Sequence, residues 1–187
     1  MTRLPVALAL AGAFLLSAPA HAKSPYAARM YGLRGLLGGA LGFSRGVDTA
    51  LAKAKAHNVR VYIKPWYRWR EIAATAKANH AIDALPVILI GHSLGADAVS
   101  WIAQALHADG IPVAATFYYD PTRNVRCVPD NVQVALGWRR TAMFNLGGGR
   151  IAMPRFRGRY RTLRRSNDAH KPRRRAARSC RDGEARR

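Results

Sequence analysis

The residues that most directly suggest chemistry are Gly91-His92-Ser93-Leu94-Gly95, which match the pattern G-x-S-x-G. A serine hydroxyl becomes a nucleophile when a base removes its proton and hydrogen-bond donors stabilise the oxyanion that its attack creates. Glycine on both sides allows a strand to turn sharply into a helix, with the serine at a strained backbone angle. The pattern predicts Ser93 as the nucleophile and the Leu94 N–H, at the start of the helix, as one oxyanion donor.

The sequence around this motif predicts a strand before it and a helix after it. Residues 86–90 are continuously apolar, as in a central parallel strand. Residues 95–108 carry apolar side chains at helical spacing. A nucleophile in a G-x-S-x-G motif requires this setting, so the context favours it over a serine in an ordinary strand–helix turn.

Asp120 is the candidate acid, because it ends the next apolar strand, predicted at residues 111–119. The carboxyl ends of neighbouring parallel strands lie at one edge of a sheet, so Asp120 should lie near Ser93 and could orient a base. The alternative is that Asp120 only opens a turn before proline. Asp130 is the reserve acid, but it precedes its strand and should lie at the opposite edge.

The candidate base is His170, which is the only histidine after Asp120 in the chain. It is chosen by elimination and by the order serine, acid, histidine. His92 occupies a variable position of the motif, and its imidazole should point away from Ser93. Asp97 lies four residues after Ser93, where the positive end of the helix dipole accounts for an acid without a catalytic role.

A glycine-rich turn at residues 35–42 has two interpretations. As an oxyanion loop after the first strand, it would supply a second N–H from Leu36 or Leu37. As a phosphate cradle, it lacks the G-x-G-x-x-G order and the terminal Lys-Ser/Thr, so nucleotide binding is disfavoured. The aromatic and basic residues 66–70 are interpreted as a cover for the sheet edge or a pocket rim rather than as a nucleic-acid patch.

Short apolar runs alternate with helical patterns, which predicts an α/β fold with a mostly parallel sheet of about five to six strands flanked by helices. Residues 144–161 contain only isolated apolar side chains and are predicted to be loop with at most one edge strand. Strands are predicted at residues 28–33, 59–63, 86–90, 111–119 and 132–136, and helices at 44–57 (capped by Ser44), 69–78 and 95–108.

The chain of 187 residues has a net charge of +21, but its 49% apolar and 22% charged residues exclude a chain disordered throughout. Residues 1–22 are predicted to be a secretory signal peptide, since one arginine, a short apolar run and small residues follow one another. The product would be periplasmic or secreted, with one domain at residues 23–161. Nucleic acid is not expected as its partner, and the sequence leaves the oligomeric state open.

Residues 162–187 are predicted to be a basic, irregular and mostly unfolded tail. From Arg155 to the end, 14 lysines and arginines face three acids. The tail could bind an anionic envelope surface by electrostatic attraction, or it could be a solvated tail with no partner. Cys127 and Cys180, the two cysteines, could form a disulfide in an oxidising compartment or remain free thiols.

Residues 28–137, with the motif at 91–95 and the strand that ends in Asp120, resemble the α/β-hydrolase superfamily, near its small lipase-, thioesterase- and esterase-like members. The resemblance implies a serine hydrolase that cleaves a carboxylic ester or thioester of a small molecule, with Ser93 as nucleophile and Asp120 as acid. No metal or organic cofactor is implied.

The chain departs from the family near His170. Family members place the catalytic histidine in a loop after the last strand and usually follow it with an apolar helix, which is missing here. A shifted reading frame near the end of the gene would also produce such an ending. The alternative function is a catalytically impaired protein of this fold that binds the envelope through its cationic tail.

Overall fold

A computed structural model describes residues 24–36, 44–122, 124–139 and 159–164 of the chain. It has six strands, β1 Ala28–Arg34, β2 Val59–Pro65, β3 Val87–His92, β4 Val113–Tyr119, β5 Val132–Arg139 and β6 Arg159–Arg164. The described helices are α1 Arg45–Lys55, α2 Trp69–Asp83 and α3 Leu94–Ala108, and a short 3-10 turn, Trp66–Arg68, precedes α2.

The strands form one sheet in the order β2-β1-β3-β4-β5-β6, and every neighbouring pair is parallel. The chain starts inside the sheet at β1, moves outward to β2 and then returns past β1 to β3. The connections that leave β1 and β3 therefore diverge to opposite faces. In open α/β sheets this point of divergence, at the carboxyl ends of the strands, forms a crevice where ligands bind.

Helices cover both faces of the sheet. On one face, Val47 and Leu51 of α1 pack against Met30 and Ile90 of the neighbouring strands. On the other face, α2 and α3 enclose the larger core, whose fully buried members include Tyr31, Leu33, Ile72, Leu89, Val99, Ile102, Leu106 and Val113. The continuously apolar sequence of β3 follows from this arrangement, because β3 is covered on both sides.

The prediction of an α/β fold with a parallel sheet is confirmed, and each predicted strand and helix is present with different ends. The main difference among the helices is α2, which continues beyond residue 78 to Asp83 and ends at Ala84 in the left-handed conformation, with φ of 49°. Ser44 precedes α1 as predicted, but its side chain makes no capping hydrogen bond. No described helix is long and apolar enough to cross a membrane.

The sixth strand lies at the sheet edge and crosses the predicted boundary between domain and tail. β6 pairs with β5 through Arg164, so three residues of the predicted tail belong to a strand. A parallel ladder needs backbone donors and acceptors rather than apolar side chains, which explains how a basic segment can extend the sheet. The predicted signal peptide and residues 165–187 lie outside the described residues.

A buried ion pair ties the end of α2 to β1 at the amino-terminal edge of the sheet. Arg29, only 5% exposed, donates to both carboxylate oxygens of Asp83, with Nη2 at 2.7 Å from Oδ2. These bonds lower the pKa of Asp83. The Nη1 of Arg29 also donates to the carbonyl of Asn79 at 3.3 Å, whereas its Nε has no hydrogen-bond partner in the described structure, so Asp83 supplies the negative charge that balances this buried guanidinium.

Candidate active site

The turn from β3 into α3 holds Ser93 in a strained backbone conformation, with φ of 56° and ψ of −125°. A residue with a side chain adopts such angles only where its surroundings enforce them, at a cost of about 1–3 kcal/mol. Backbone hydrogen bonds of Ser93 to β4 and to the first turn of α3 support them here. The Ser93 N–H donates to the carbonyl of Tyr119 at 2.8 Å, and the Ser93 carbonyl accepts from the N–H of Ala96 at 2.8 Å.

The two glycines of the motif are required by close backbone contacts. A Cβ atom on Gly91 would overlap the carbonyl group of Gly95 within the turn. A Cβ atom on Gly95 would overlap the carbonyl group of Leu33 in β1. The backbones of β1, β3 and α3 therefore meet at this point, and the turn at residues 91–95, here called the elbow, leaves no room for larger residues.

Of the three predicted oxyanion donors, Leu94 and Leu36 belong to the described residues. Leu94 is the first residue of α3, where the backbone N–H groups have no carbonyl partner within the helix. The chain leaving β1 passes over the elbow, since a Cβ atom on Gly35 would lie 3.1 Å from the Cβ of Ser93. Leu36 follows and is 63% exposed. Leu37, the alternative donor, lies outside the described residues.

Asp120 lies at the carboxyl edge of the sheet beside Ser93. His92 and Tyr119 are register partners of β3 and β4, so the residues after them emerge together. The backbone N–H of Asp120 donates to the carbonyl of Trp138 at 2.8 Å, and its φ of 47° turns the chain away from the sheet. The expected proximity of Ser93 and Asp120 is present, and the reserve acid Asp130 precedes β5 at the opposite edge.

The imidazole of His92 lies between the acid and the loop that follows β1. Its Nε2 is 4.0 Å from Oδ2 of Asp120, and its Nδ1 is 3.5 Å from the hydroxyl oxygen of Ser44. That hydroxyl oxygen accepts a hydrogen bond from the N–H of Gly35 at 3.0 Å, which explains why it does not cap α1. The sequence did not indicate this arrangement, because Asp120 and Ser44, which face the two ring nitrogens of His92, are distant from it in the chain.

Asp97 is completely buried and makes a contact that its position in the sequence did not reveal. Its Oδ1 accepts a hydrogen bond from the backbone N–H of Thr122 at 2.9 Å, and its Oδ2 accepts one from the Thr122 hydroxyl. Burial raises the pKa of Asp97 to about 6, although the two bonds from Thr122 oppose the shift. The helix dipole alone therefore does not account for this residue.

The described residues of the connection between β4 and β5 contain no helix, and side chains on one stripe of α3 hold this segment. Asp97 begins this stripe and three more residues continue it. The Ser100 hydroxyl accepts from the N–H of Arg126 at 2.8 Å, and Gln104 donates to the carbonyl of Cys127 at 3.2 Å. Trp101 donates its indole N–H to the carbonyl of Asn124 at 3.2 Å. The helix that begins directly after Ser93 thus also fixes the segment after Asp120.

The aromatic residues that follow β2 pack against α3. The ring centroids of Trp69 and Trp101 are 5.7 Å apart, and those of Trp66 and Trp101 are 6.4 Å apart, both in edge-to-face geometry. Glu71 pairs with the nearby cations Lys64 and Arg68. This packing is consistent with the interpretation of the aromatic stretch as a cover for the sheet edge.

Two of the residues singled out in the sequence, His170 and Cys180, are not described by the structure, so the predictions made for them stay predictions. Cys127 is disulfide-bonded. Among the described residues, no group of three or more His, Cys, Asp or Glu side chains could hold a metal ion.

Comparison with known proteins adds no family assignment. The chain matches no protein-family model and none of the curated proteins.

Proposed function

We propose that the protein is a serine hydrolase, which cleaves a carboxylic ester or thioester through an acyl intermediate on Ser93. The observation that carries the proposal is the backbone of Ser93, at φ of 56° and ψ of −125°, between a buried parallel strand and a helix. Strain of this kind is typical of functional sites, and a strand–turn–helix with G-x-S-x-G is the arrangement of the α/β-hydrolase nucleophile. The strand order supports the same assignment, because Ser93 follows β3 at the point where the connections of β1 and β3 diverge, and ligands of open α/β sheets bind at such a point.

In the proposed reaction, the Ser93 hydroxyl attacks the acyl carbon while the base, His170, accepts its proton. The carbonyl oxygen becomes an oxyanion, which accepts hydrogen bonds from the N–H of Leu94 and from that of Leu36 or Leu37. Collapse of this intermediate expels the alcohol or thiol, which takes the proton from His170. Asp120 orients the base and stabilises its positive charge.

A water molecule then releases the acyl group. His170 accepts a proton from this water as the water oxygen attacks the acyl carbon, and the oxyanion forms again beside Leu94. Collapse of the second intermediate breaks the bond to Ser93, whose oxygen takes the proton back from the base, and the free acid leaves. The sequence of steps uses only groups of this chain and water.

Labelling with a fluorophosphonate probe tests the nucleophile. The wild-type protein should react with about one equivalent, on a peptide that contains Ser93, and S93A should not react. Ser100→Ala is the matched control. Ser100 is a buried serine of α3, the helix that follows Ser93, and its hydrogen bond to Arg126 is structural. Absence of labelling of the folded wild-type protein would contradict the proposal.

Two further variants test the acid and the base. His170→Ala and Asp120→Ala should each lower kcat for an aryl ester by about 10³-fold or more, since residues of a triad act as a unit. His107→Ala, at the end of α3, is the control histidine. Unchanged activity of His170→Ala would reject His170 as the base and direct the same test to His92, which lies 4.0 Å from Asp120.

Export is a separate part of the proposal. The predicted signal peptide would place the mature N-terminus at Lys23, in the periplasm or outside the cell. N-terminal sequencing of the protein recovered from a periplasmic extract tests this. Recovery of the protein from the cytoplasm with Met1 retained would contradict it.

A further inference from the structure

Asp97 connects the helix of the nucleophile to the segment of the acid. It lies one helical turn after Ser93 on α3, and both of its carboxylate oxygens accept hydrogen bonds from Thr122, two residues after Asp120. We propose that Asp97 is a positioning residue, which sets the place of Asp120 relative to Ser93 by holding Thr122. The catalytic meaning of this inference rests on the proposed function, whereas the structural link does not.

The short segment from Asp120 to Thr122 is anchored at both ends. At one end, the Asp120 N–H donates to the carbonyl of Trp138 in β5, and at the other end Thr122 is bound to Asp97. Asp120 itself has a φ of 47°, which non-glycine residues rarely adopt without support from their surroundings. Loss of the anchor at Thr122 would remove one of the contacts that support this conformation.

The donor pattern of Thr122 explains why a carboxylate occupies this buried position. The Thr122 hydroxyl oxygen also accepts a hydrogen bond from the N–H of Asn124 at 3.3 Å, so its proton is directed to Asp97. Thr122 therefore presents two donors, its N–H and its O–H, and an ionised carboxylate is the side chain that offers two acceptor oxygens. Burial raises the pKa of Asp97 to about 6, so the contact is kept in spite of an unfavourable environment for the charge.

Because Ser93 directly precedes α3 and Asp97 lies in the first turn of that helix, the bond from Asp97 to Thr122 makes the position of Asp120 depend on the position of α3. Ser93 is joined to the first turn of α3, because its carbonyl accepts from the N–H groups of Ala96 and Asp97, and Thr122 is tied to the same turn through Asp97. A shift of the helix would then carry both catalytic groups together. The contact differs in this respect from that of Ser100, which binds Arg126 six residues after Asp120.

Kinetics of aryl-ester hydrolysis with the full-length protein tests the inference. Asp97→Ala should lower kcat by about 10- to 100-fold with little change in KM, because a displacement of about 1 Å at a catalytic group has effects of this size. Asp97→Asn keeps an acceptor for the Thr122 N–H and should recover kcat to within about threefold of wild type. Ser100→Ala, which loses a bond of the same helix to the same connection, should stay within about twofold.

A second variant keeps the test decisive if Asp97→Ala does not fold. Thr122→Val retains the N–H bond and the shape of the side chain but loses the O–H bond, so kcat should fall between those of Asp97→Asn and Asp97→Ala. All variants are measured at a temperature where each is fully folded by circular dichroism. The inference would be overturned if Asp97→Ala had the same kcat as Ser100→Ala. It would also be overturned if Thr122→Val had the same kcat as Ser100→Ala.

Amide hydrogen exchange separates failure of this inference from failure of the proposed function. In Asp97→Ala or Thr122→Val, exchange at Asp120 and Thr122 should accelerate at least about tenfold relative to wild type, while Arg126 keeps its protection. In Ser100→Ala, exchange at Arg126 should accelerate, while Asp120 and Thr122 keep their protection. If the wild type neither hydrolyses esters nor reacts with the fluorophosphonate probe, the proposed function fails. Unchanged exchange at Asp120 and Thr122 in these two variants would instead overturn the proposed link between Asp97 and the segment of Asp120.

Discussion

Replacement of Asp97 by asparagine should make the protein less stable than wild type in acid and more stable than wild type at high pH. Burial raises the pKa of Asp97 from 3.8 to about 6, and the bonds from Thr122 only partly oppose this shift. A carboxyl group whose pKa is higher in the folded state binds its proton more tightly there. The stability that this proton provides is complete below the unfolded pKa of 3.8 and is lost as the pH rises through about 6.

The size of the effect follows from the two pKa values. The difference between 3.8 and about 6 is roughly two units, so ionisation of Asp97 costs the folded state about 3 kcal/mol above pH 7. Asparagine does not titrate and avoids this cost, but it loses the acceptor for the Thr122 hydroxyl, worth about 1 kcal/mol. We therefore expect D97N to be about 1 kcal/mol less stable than wild type at pH 3 and about 2 kcal/mol more stable at pH 8.

Urea unfolding of both proteins between pH 3 and pH 8 measures this difference, with the free energy of unfolding obtained by linear extrapolation. The other titrating groups are common to both proteins and cancel in the difference. Asp109→Asn is the control, because Asp109 is an exposed acid that pairs with Lys77. A difference between D97N and wild type that stays constant with pH would refute the reasoning, and one that favours wild type as the pH rises would reverse its sign.

Three further results are expected. Gly95→Ala should destabilise the protein by more than about 3 kcal/mol in urea unfolding, because its Cβ would overlap the carbonyl of Leu33. A loss of less than about 1 kcal/mol would contradict this expectation and show that the elbow can relax. Asp83→Ala should cost about 3–5 kcal/mol because it leaves Arg29 buried and unpaired, and Asp83→Ala with Arg29→Met should recover part of this loss; no recovery would contradict this account. Non-reducing peptide mass spectrometry should find Cys127 linked to Cys180 within one chain, whereas a linkage between two chains would refute the predicted pairing.

The lowered pKa of Asp83 gives the opposite dependence on pH from that of Asp97. Its bonds to Arg29 favour the ionised carboxylate in the folded state, so their contribution is present above the unfolded pKa of 3.8 and is lost as the pH falls below it. The destabilisation by Asp83→Ala should therefore shrink in acid, as measured by urea unfolding at pH 2.5 and pH 7. A constant loss at both values would indicate that the ion pair has no net electrostatic contribution.

The sequence alone determined the layered fold and the place of Ser93 between a strand and a helix. Apolar runs bounded by glycine and proline located β3 and β4, and helical spacing located α3, because these patterns report which faces of each element are buried. The elbow could also be identified, since glycines at 91 and 95 on either side of Ser93 have a local steric cause. The position of Asp120 followed from the rule that parallel strands end at a common edge.

The tertiary structure decided which polar side chains meet at that edge. Asp97 and Thr122 are 25 residues apart, and His92 lies between Asp120 and Ser44. No local pattern specifies such pairs, because they depend on how α3 packs on the sheet. Burial raises the pKa of Asp97 for the same reason, since the surroundings of a carboxyl group are set by packing and not by its neighbours in sequence.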